Sequence, residues 1–349
     1  MKYAGWQEDE SVRPSPGIAY SDSATWSTAT SPRLNEPFAG SGDRLSRAER
    51  RLPFFPGFGT LDPTVSPHRS RSYPLSQLTD KTPQPSESNE ITGHLVFLGT
   101  GTSVGVPALG CSCPVCASDD VHNQRTRSSV VVGLPEGNLL VDTAPDLRQQ
   151  LLREKINLVH AVIFTHEHAD HLYGLDDLRL FPFYLGHPVP LYCDPKVERR
   201  IRMAFDYAFP EHPPTHPGAV PQLEIHSIGL EQREILGASV QPIRLLHGPR
   251  FEVLGFRFGN IAYCTDTNEI PDESWPLLEG LDVLVIDALR ARPHVTHFSL
   301  EEAVEVSRRV GARRTLFTHI SHELDHAETN ATLPDGMDLA FDGLRVPLS

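Results

Sequence analysis

Residues 165–171 read Thr-His-Glu-His-Ala-Asp-His and follow directly on the apolar run Ala161-Val162-Ile163-Phe164. His166, His168, Asp170 and His171 thus place four metal-capable side chains within six residues. A β-branched, apolar run reads as a buried strand, and where its pleat stops a tight loop can turn several imidazoles and a carboxylate toward one point. His166 and His168, two apart, share a face while the chain stays extended. Asp170 and His171 lie past the turn, where they can serve a second ion. Neutral imidazole with carboxylate suits zinc, manganese or iron. A merely His-rich surface loop would have no reason to follow a buried strand in this order.

Other strand ends carry further candidates. Asp142 closes Asn138-Leu-Leu-Val141, His247 follows Pro242-Ile-Arg-Leu-Leu246, Asp266 follows Ile261–Cys264, and His319 follows Thr315–Phe317. Any one of them alone would read as an ordinary surface residue. Together, N and O ligands arriving at strand ends on one side of a sheet can build two adjacent metal positions. Asp266 is the candidate carboxylate with a lone pair for each ion, which makes it the expected bridge.

A second cluster is the C-x-C-x-x-C run Gly110-Cys-Ser-Cys-Pro-Val-Cys116. Cys111, Cys113 and Cys116 suit a structural zinc, which needs a fourth ligand to close its tetrahedron. Buried structural thiols and a redox loop are the other readings, although a redox pair would not need three thiols. Thr318-His319-Ile-Ser-His322 supplies His322 as the candidate fourth ligand, so that His319 and His322 would face different metals.

The elements that must position these residues are legible from residue 93 onward as alternating strands and helices. His94–Leu98, Ser129–Val132, Asn138–Asp142, residues 161–164, Val189–Tyr192, Ile261–Cys264, Val283–Ile286 and Thr315–Phe317 read as strands, and residues 222–258 as mostly strands. Leu147–Glu154, Gly174–Phe181, Pro195–Phe209 and Ser299–Val310 read as helices, the last with Ser299 and Glu302 spaced as a capping box. Such ladders suggest an α/β fold, an αββα sandwich of two packed mixed sheets flanked by helices, over residues 93–349. Residues 1–92, rich in Ser, Pro, Thr and Arg, lack a sustained apolar period and read as a disordered, low-complexity tail.

Charge and composition exclude some functions. Ten Lys/Arg against eleven Asp/Glu leave residues 1–92 at −1, so the rest carries −13 of the total −14. An acidic catalytic part argues against broad nucleic-acid binding. No apolar run approaches a membrane span, no secretory signal opens the chain, and five clustered cysteines do not make a disulfide scaffold. The expectation is a cytoplasmic protein in a reducing setting, with no membrane partner and with a homodimer as one possible state.

The motif series Asp142, His166-x-His168-x-Asp170-His171, His247, Asp266 and His319 resembles the metallo-β-lactamase superfamily. The resemblance implies one metal on His166, His168 and His247, another on Asp170, His171 and His319, and Asp266 between them, with Asp142 orienting ligands from behind. A carboxylate bridge is the pattern of the phosphodiesterase-like branches, whereas the true β-lactamases usually have Cys there. Gly99-Thr-Gly-Thr-Ser-Val-Gly-Val-Pro107, the cysteine loop, Thr318–His322, Leu333-Pro and Phe341-Asp-Gly343 are similar to the PhnP group of phosphoribosyl cyclic phosphodiesterases. The long N-terminal segment departs from that compact pattern.

The implied cofactors are two catalytic divalent metals, zinc or manganese, and one structural zinc. Two adjacent ions activate water and neutralise the oxygens of a phosphodiester, and the resemblance implies a small, cyclic phosphodiester such as a phosphoribosyl cyclic phosphate as the substrate. His297, where the resembled group places a histidine near the leaving group, is the candidate general acid, alongside Asp170 of the metal loop. A residue adjacent to the Ser299 cap is the alternative reading of His297, and His294 is the alternative acid. Arg290 with Arg292, and Arg125 with Arg127, could hold a substrate phosphate or belong to solvated charge runs. The rival functions are RNA processing of the tRNA 3′ endonuclease kind, thioester hydrolysis as in glyoxalase II enzymes, and non-catalytic metal binding.

Overall fold

The computed structural model describes residues 90–210, 216 and 218–349. The tail expected over residues 1–92 lies outside the described residues as far as residue 89. Its last residues belong to the folded part, because Ile91 is buried and Thr92 bridges to Gly133.

Seven strands form the first sheet, in the order β14-β1-β2-β3-β4-β5-β6. These are β1 (His94–Gly99), β2 (Ser129–Leu134), β3 (Gly137–Val141), β4 (Ala161–Ile163), β5 (Val189–Cys193), β6 (Leu223–Ser227) and β14 (Arg345–Pro347). The second sheet runs β13-β12-β11-β10-β9-β8-β7. It comprises β7 (Arg233–Ile235), β8 (Ala238–Leu246), β9 (Glu252–Phe258), β10 (Ile261–Cys264), β11 (Val283–Asp287), β12 (Arg314–Thr318) and β13 (Met337–Leu339).

The two-residue period of a strand sorts the apolar side chains into layers. Leu95, Phe97, Val130, Val132, Val141 and Ile163 of the first sheet pack with Phe256, Tyr263, Val285 and Leu316 of the second. The alternate residues Val96, Leu98, Val131, Leu140 and Val162 face outward and are covered by Leu147 and Leu151 of helix α1 (Leu147–Glu154) and by Leu172 of α2 (Ala169–Leu172). On the far side, Leu284, Ile286 and Phe317 pack with Ala303 and Val304 of α5 (Leu300–Val310). The result is the expected four-layer sandwich. Ser299 caps α5, and Glu302 completes the capping box.

Two helical expectations need correction. The segment Gly174–Phe181 is a 3₁₀ turn over Leu175–Leu180 followed by a separate helix, α3 (Phe181–Leu185). Pro182, in the first turn of α3, has no N–H to continue a preceding helix, so a new one starts there. The helix expected over Pro195–Phe209 ends as α4 (Pro195–Ala204). Phe205 leaves helical backbone at φ −126°, ψ 42° and packs in the core, and a 3₁₀ turn over Asp206–Ala208 follows.

The parallel pairs are what concentrate the chemistry. β3, β4, β5 and β6 are mutually parallel neighbours, as are β10, β11, β12 and β13. β8 and β10 each pair antiparallel with β9 and so also point the same way. Their carboxyl ends therefore open on one edge of the sandwich, the place where open α/β sheets bind ligands.

Candidate metal centre

Asp142, Asp266 and His319 stand one or two residues beyond the ends of β3, β10 and β12, and all three have left-handed backbone, at φ 64°, 54° and 59°. Non-glycine residues are held there only where surrounding contacts enforce it, and such strain gathers at functional sites. Asp142 is fully buried. Its Oδ1 accepts from the Thr165 N–H at 2.8 Å, and its Oδ2 accepts from Thr165 Oγ1 and from His171 Nδ1, each at 2.8 Å. That network locks the start of the metal loop and turns His171 Nε2 inward.

The first cluster is His166, His168 and His247. Thr165 Oγ1 lies 2.9 Å from His166 Nδ1, and the Thr296 carbonyl accepts from His247 Nδ1 at 2.7 Å, so both rings direct Nε2 inward. His166 Nε2 and His168 Nδ1 meet at 2.9 Å. Burial and the nearby His171 hold His166 well below its ordinary pKa, and burial likewise lowers His247. Both imidazoles are thereby kept neutral, the form in which a ring nitrogen binds metal.

The second cluster is Asp170, His171, Asp266 and His319. Asp266 Oδ2 lies 3.2 Å from His171 Nε2, and its Oδ1 lies 3.3 Å from His319 Nε2. Asp170 Oδ2 stands 3.3 Å from His171 Nε2. Yet His171 Nε2 and both ring nitrogens of His319 are buried without a hydrogen-bond partner. Buried polar atoms left without partners are costly; here they converge on oxygens spaced to share a cation. Burial works against charging these rings, but Asp266 and Asp170 overcome it, raising His171 well above its usual range and His319 to about 9. The same positive neighbours, His319 and His171, outweigh burial at Asp266 and hold it well below the usual carboxylate range. This half of the site therefore attracts positive charge.

The two clusters touch. Asp266 also groups with His247 and His297, and the His166 and His171 rings lie 4.3 Å apart. His297 packs at 4.6 Å against both His247 and His319, stacked on the latter. Its Nδ1 lies 2.6 Å from Asp287 Oδ2 at the end of β11. Asp287 was not among the residues singled out from sequence; a carboxylate closing the apolar run Val283–Ile286, as Asp142 closes its own, was the available signal. His294 sits 5.2 Å from His297 and is partly exposed.

The cysteine loop packs against His322, beyond the end of β12. Cys111, Cys113 and Cys116 place Sγ 3.2, 3.3 and 3.5 Å from His322 Nδ1. Backbone N–H groups of Ala108 and Cys116 point at the Cys116 and Cys113 sulfurs. The Cys116 N–H lowers the Cys113 thiol to about 6, whereas burial raises Cys116 to about 11. Three sulfurs and one imidazole nitrogen fit a tetrahedral zinc.

The arginines are not brought to the site as expected. Arg125 is only 2% exposed; it donates to Thr100 Oγ1 at 2.9 Å, to the Ala340 carbonyl at 2.5 Å and to His326 Nδ1 at 3.1 Å. It braces the Gly99–Ser103 loop from within and has no access to a substrate. Arg127 is taken up by Asp146 at 3.0 Å and by the Ser103 carbonyl. Arg290 folds back on the Arg292 and Pro293 carbonyls, and Arg292 pairs with Glu323 at 2.9 Å. These guanidiniums shape loops rather than stand free for a phosphate.

Residues 137–320, just over half of the chain, match the family profile described as the beta-lactamase superfamily domain. The crystal structure of a diphosphatase from the PhnP family superposes with a TM-score of 0.68 at 44% identity, covering 73% of this chain and 98% of that one. The chain belongs to the PhnP family of the beta-lactamase superfamily. Among sequence relatives, an octanoyltransferase of Porphyromonas gingivalis is 36% identical over 253 residues, which are 71% of this chain and 50% of that protein. The chain thus spans half the length of that relative. Zn²⁺-bound PqqB from Methylobacterium extorquens shares the fold, with a TM-score of 0.59 at 23% identity over 73% of this chain and all of that one. Membership of this hydrolase superfamily implies a divalent metal, and the orphaned ring nitrogens of His171 and His319 fit one. Among the described residues no helix is long and apolar enough to cross a membrane.

Proposed function

We propose that this chain is a two-metal phosphodiester hydrolase acting on small substrates, phosphoribosyl-type cyclic phosphates among them. The observation that carries the reading is Asp266, whose two oxygens face different histidines at 3.2 and 3.3 Å and which also groups with His247 of the other cluster. His166, His168 and His247 would hold one ion, and Asp170, His171 and His319 the other, with Asp266 shared. Cys111, Cys113, Cys116 and His322 would hold a structural zinc. When bound, the paired ions polarise phosphoryl oxygens and activate water at neutral pH.

The chain's own residues complete the chemistry. Asp142 and Thr165 fix the orientation of His171 and His166. Asp287 holds the Nδ1 proton of His297 and leaves Nε2 to face the cluster, where it can protonate a departing alkoxide. The diphosphatase described for the 44%-identical structure supports a phosphate-transfer substrate class.

The test is a panel of cyclic phosphates, linear phosphodiesters, thioesters, β-lactams and precursor tRNA, assayed with measured metal content. Turnover of the phosphodiesters alone supports the reading. Preference for thioesters or tRNA would replace it, and a fully metallated protein inert on all of them would point to a binding role.

A further inference from the structure

The histidines of the candidate centre are not held alike. The Nδ1 atoms of His166, His171 and His247 meet Thr165 Oγ1, Asp142 Oδ2 and the Thr296 carbonyl at 2.9, 2.8 and 2.7 Å. Such contacts set which way a ligand ring faces. His319 is buried, yet neither of its ring nitrogens is hydrogen-bonded within the protein. Its aim at Asp266, 3.3 Å away, therefore comes from stacking on His297 and from the backbone that carries it. That backbone is left-handed, at φ 59°.

A strap, Gly99–Thr102, grips this backbone. The N–H of Ile320, the next residue, donates to the Thr100 carbonyl at 2.8 Å, and the Ile320 carbonyl accepts the Thr102 N–H at 3.1 Å. On its other side the strap lies against residues 125–128. The Gly101 N–H donates to the Thr126 carbonyl at 2.8 Å, and the Gly101 carbonyl accepts the Ser128 N–H at 3.1 Å. The approach needs glycine, since a Cβ on Gly99 would meet the Arg127 carbonyl oxygen at 2.0 Å. The strap thus holds the chain between His319 of one cluster and His322 of the cysteine cluster.

Thr100 is the strap's fixed point. It is fully buried, and its Oγ1 donates to Asp342 Oδ1 at 2.8 Å while accepting from the Arg125 guanidinium at 2.9 Å. Its N–H donates to the same Asp342 oxygen at 2.9 Å. Asp342 Oδ2 accepts from the Thr126 N–H and Oγ1 and from Arg153. Burial lowers Arg125 only to about 10, so it stays charged at neutral pH. A buried cation and carboxylate are weak devices for stability alone, because an apolar pair would serve as well. What they add here is a single position for Thr100, and through it for Ile320.

We propose that Thr100, Arg125 and Asp342 are positioning residues for the metal centre: they clamp the strap against Ile320 and so fix the His319 ring, which lacks a hydrogen-bond partner of its own. The inference rests on the two-metal reading above. None of the three touches an ion or a substrate, and none lies in a segment that carries a candidate ligand.

The test is a Co²⁺ titration of the full-length chain with a competing chelator. Thiolate charge-transfer absorption reports the cysteine site, and d–d bands report the sites of nitrogen and oxygen. Thr100→Val keeps shape but loses both Oγ1 bonds, and should weaken one of the two ions outside the cysteines by about 10-fold or more. Asp342→Asn, with one accepting oxygen fewer for its five donors, should weaken the same ion. Thr100→Ser should bind as the parent does, and the cysteine site should be unmoved in all three. Ile235→Ala, at the far edge of the second sheet, is the control for lost stability: its melting temperature should fall while its metal affinities stay. Parent affinities in both Thr100→Val and Asp342→Asn would overturn the proposal, as would an equal loss in Thr100→Ser or in Ile235→Ala. A parent that binds no ion outside the cysteines would overturn the two-metal reading and this inference with it. The predicted pattern in a parent inert on phosphodiesters would support the clamp and place the failure in the assigned reaction.

Discussion

His297 directs Nδ1 at Asp287 Oδ2 across 2.6 Å, and the same oxygen accepts the Thr267 N–H at 2.9 Å. Asp287 is fully buried at the end of β11. With Nδ1 occupied, His297 has one free nitrogen, and its ring already stacks on His319. On the proposed reading it would serve as a donor beside the histidine–aspartate cluster; the alternative is a neighbour of the Ser299 helix cap.

The pair should matter in proportion to how much the leaving group needs a proton. His297→Ala is expected to cut turnover of an alkyl or sugar phosphodiester by about 10²–10⁴, with a much smaller loss on bis-p-nitrophenyl phosphate, whose leaving anion is already stable. Asp287→Asn should reproduce part of that selective loss by disturbing the His297 tautomer. Steady-state rates on the two esters decide it, and equal losses on both would reassign His297 to binding.

The cysteines should differ sharply in reactivity. With metal bound, Cys111, Cys113 and Cys116 should resist alkylation at pH 7. After chelation Cys113, lowered to about 6 by the Cys116 N–H, should react before Cys116, which burial raises to about 11. Cys193 and Cys264, each raised to about 12 by burial, should stay unmodified until the chain unfolds. Timed alkylation followed by peptide mass spectrometry reads this order, and early labelling of Cys264 would contradict it.

Acid should destabilise the protein partly through His326. Burial, with Arg125 and His122 adding like charge, lowers its pKa from 6.5 to about 4. Its Nδ1 accepts from Arg125, as a neutral ring must. The unfolded chain therefore takes up this proton at a pH where the folded chain does not. The stability it contributes is present above about pH 6.5 and is lost as the pH falls toward 4. In His326→Asn the urea midpoint should fall less steeply over that window than in the parent; parallel curves would show that His326 does not titrate this way.

Residues 1–89 contain none of the candidate ligands. A chain beginning at Glu90 should retain its metals and its turnover within about twofold of the full chain. Full metal content with most of the turnover gone would show that the upstream segment takes part in catalysis.

The candidate site was legible because its residues obey a local rule. Each closes or closely follows an apolar strand, and parallel pairing carries those ends to one edge, so strand periodicity brought out Asp142, the His166–His171 loop, His247, Asp266 and His319 as candidates. What escaped depends on contacts distant in sequence. Arg125 looks solvated beside Arg127, but Thr100, Ala340 and His326 bury it, two of them more than 200 residues away. Asp287 gains its role only when the chain returns ten residues later with His297. Helix ends were misjudged where a single residue, Pro182 or Phe205, broke a period that otherwise continued.

Asp266, whose carboxylate would be shared between the two clusters, offers the most direct test. The direct measurement is metal content together with turnover of a cyclic phosphodiester, in the parent chain and in Asp266→Ala. The parent is predicted to hold three ions, one sulfur-bound and two not, with activity that rises until both of the latter are in place. Asp266→Ala should keep the sulfur-bound ion, lose at least one of the others, and lose turnover on activated and unactivated esters alike. An Asp266→Ala chain that keeps both of those ions and hydrolyses the ester at the parent rate would contradict the two-metal reading.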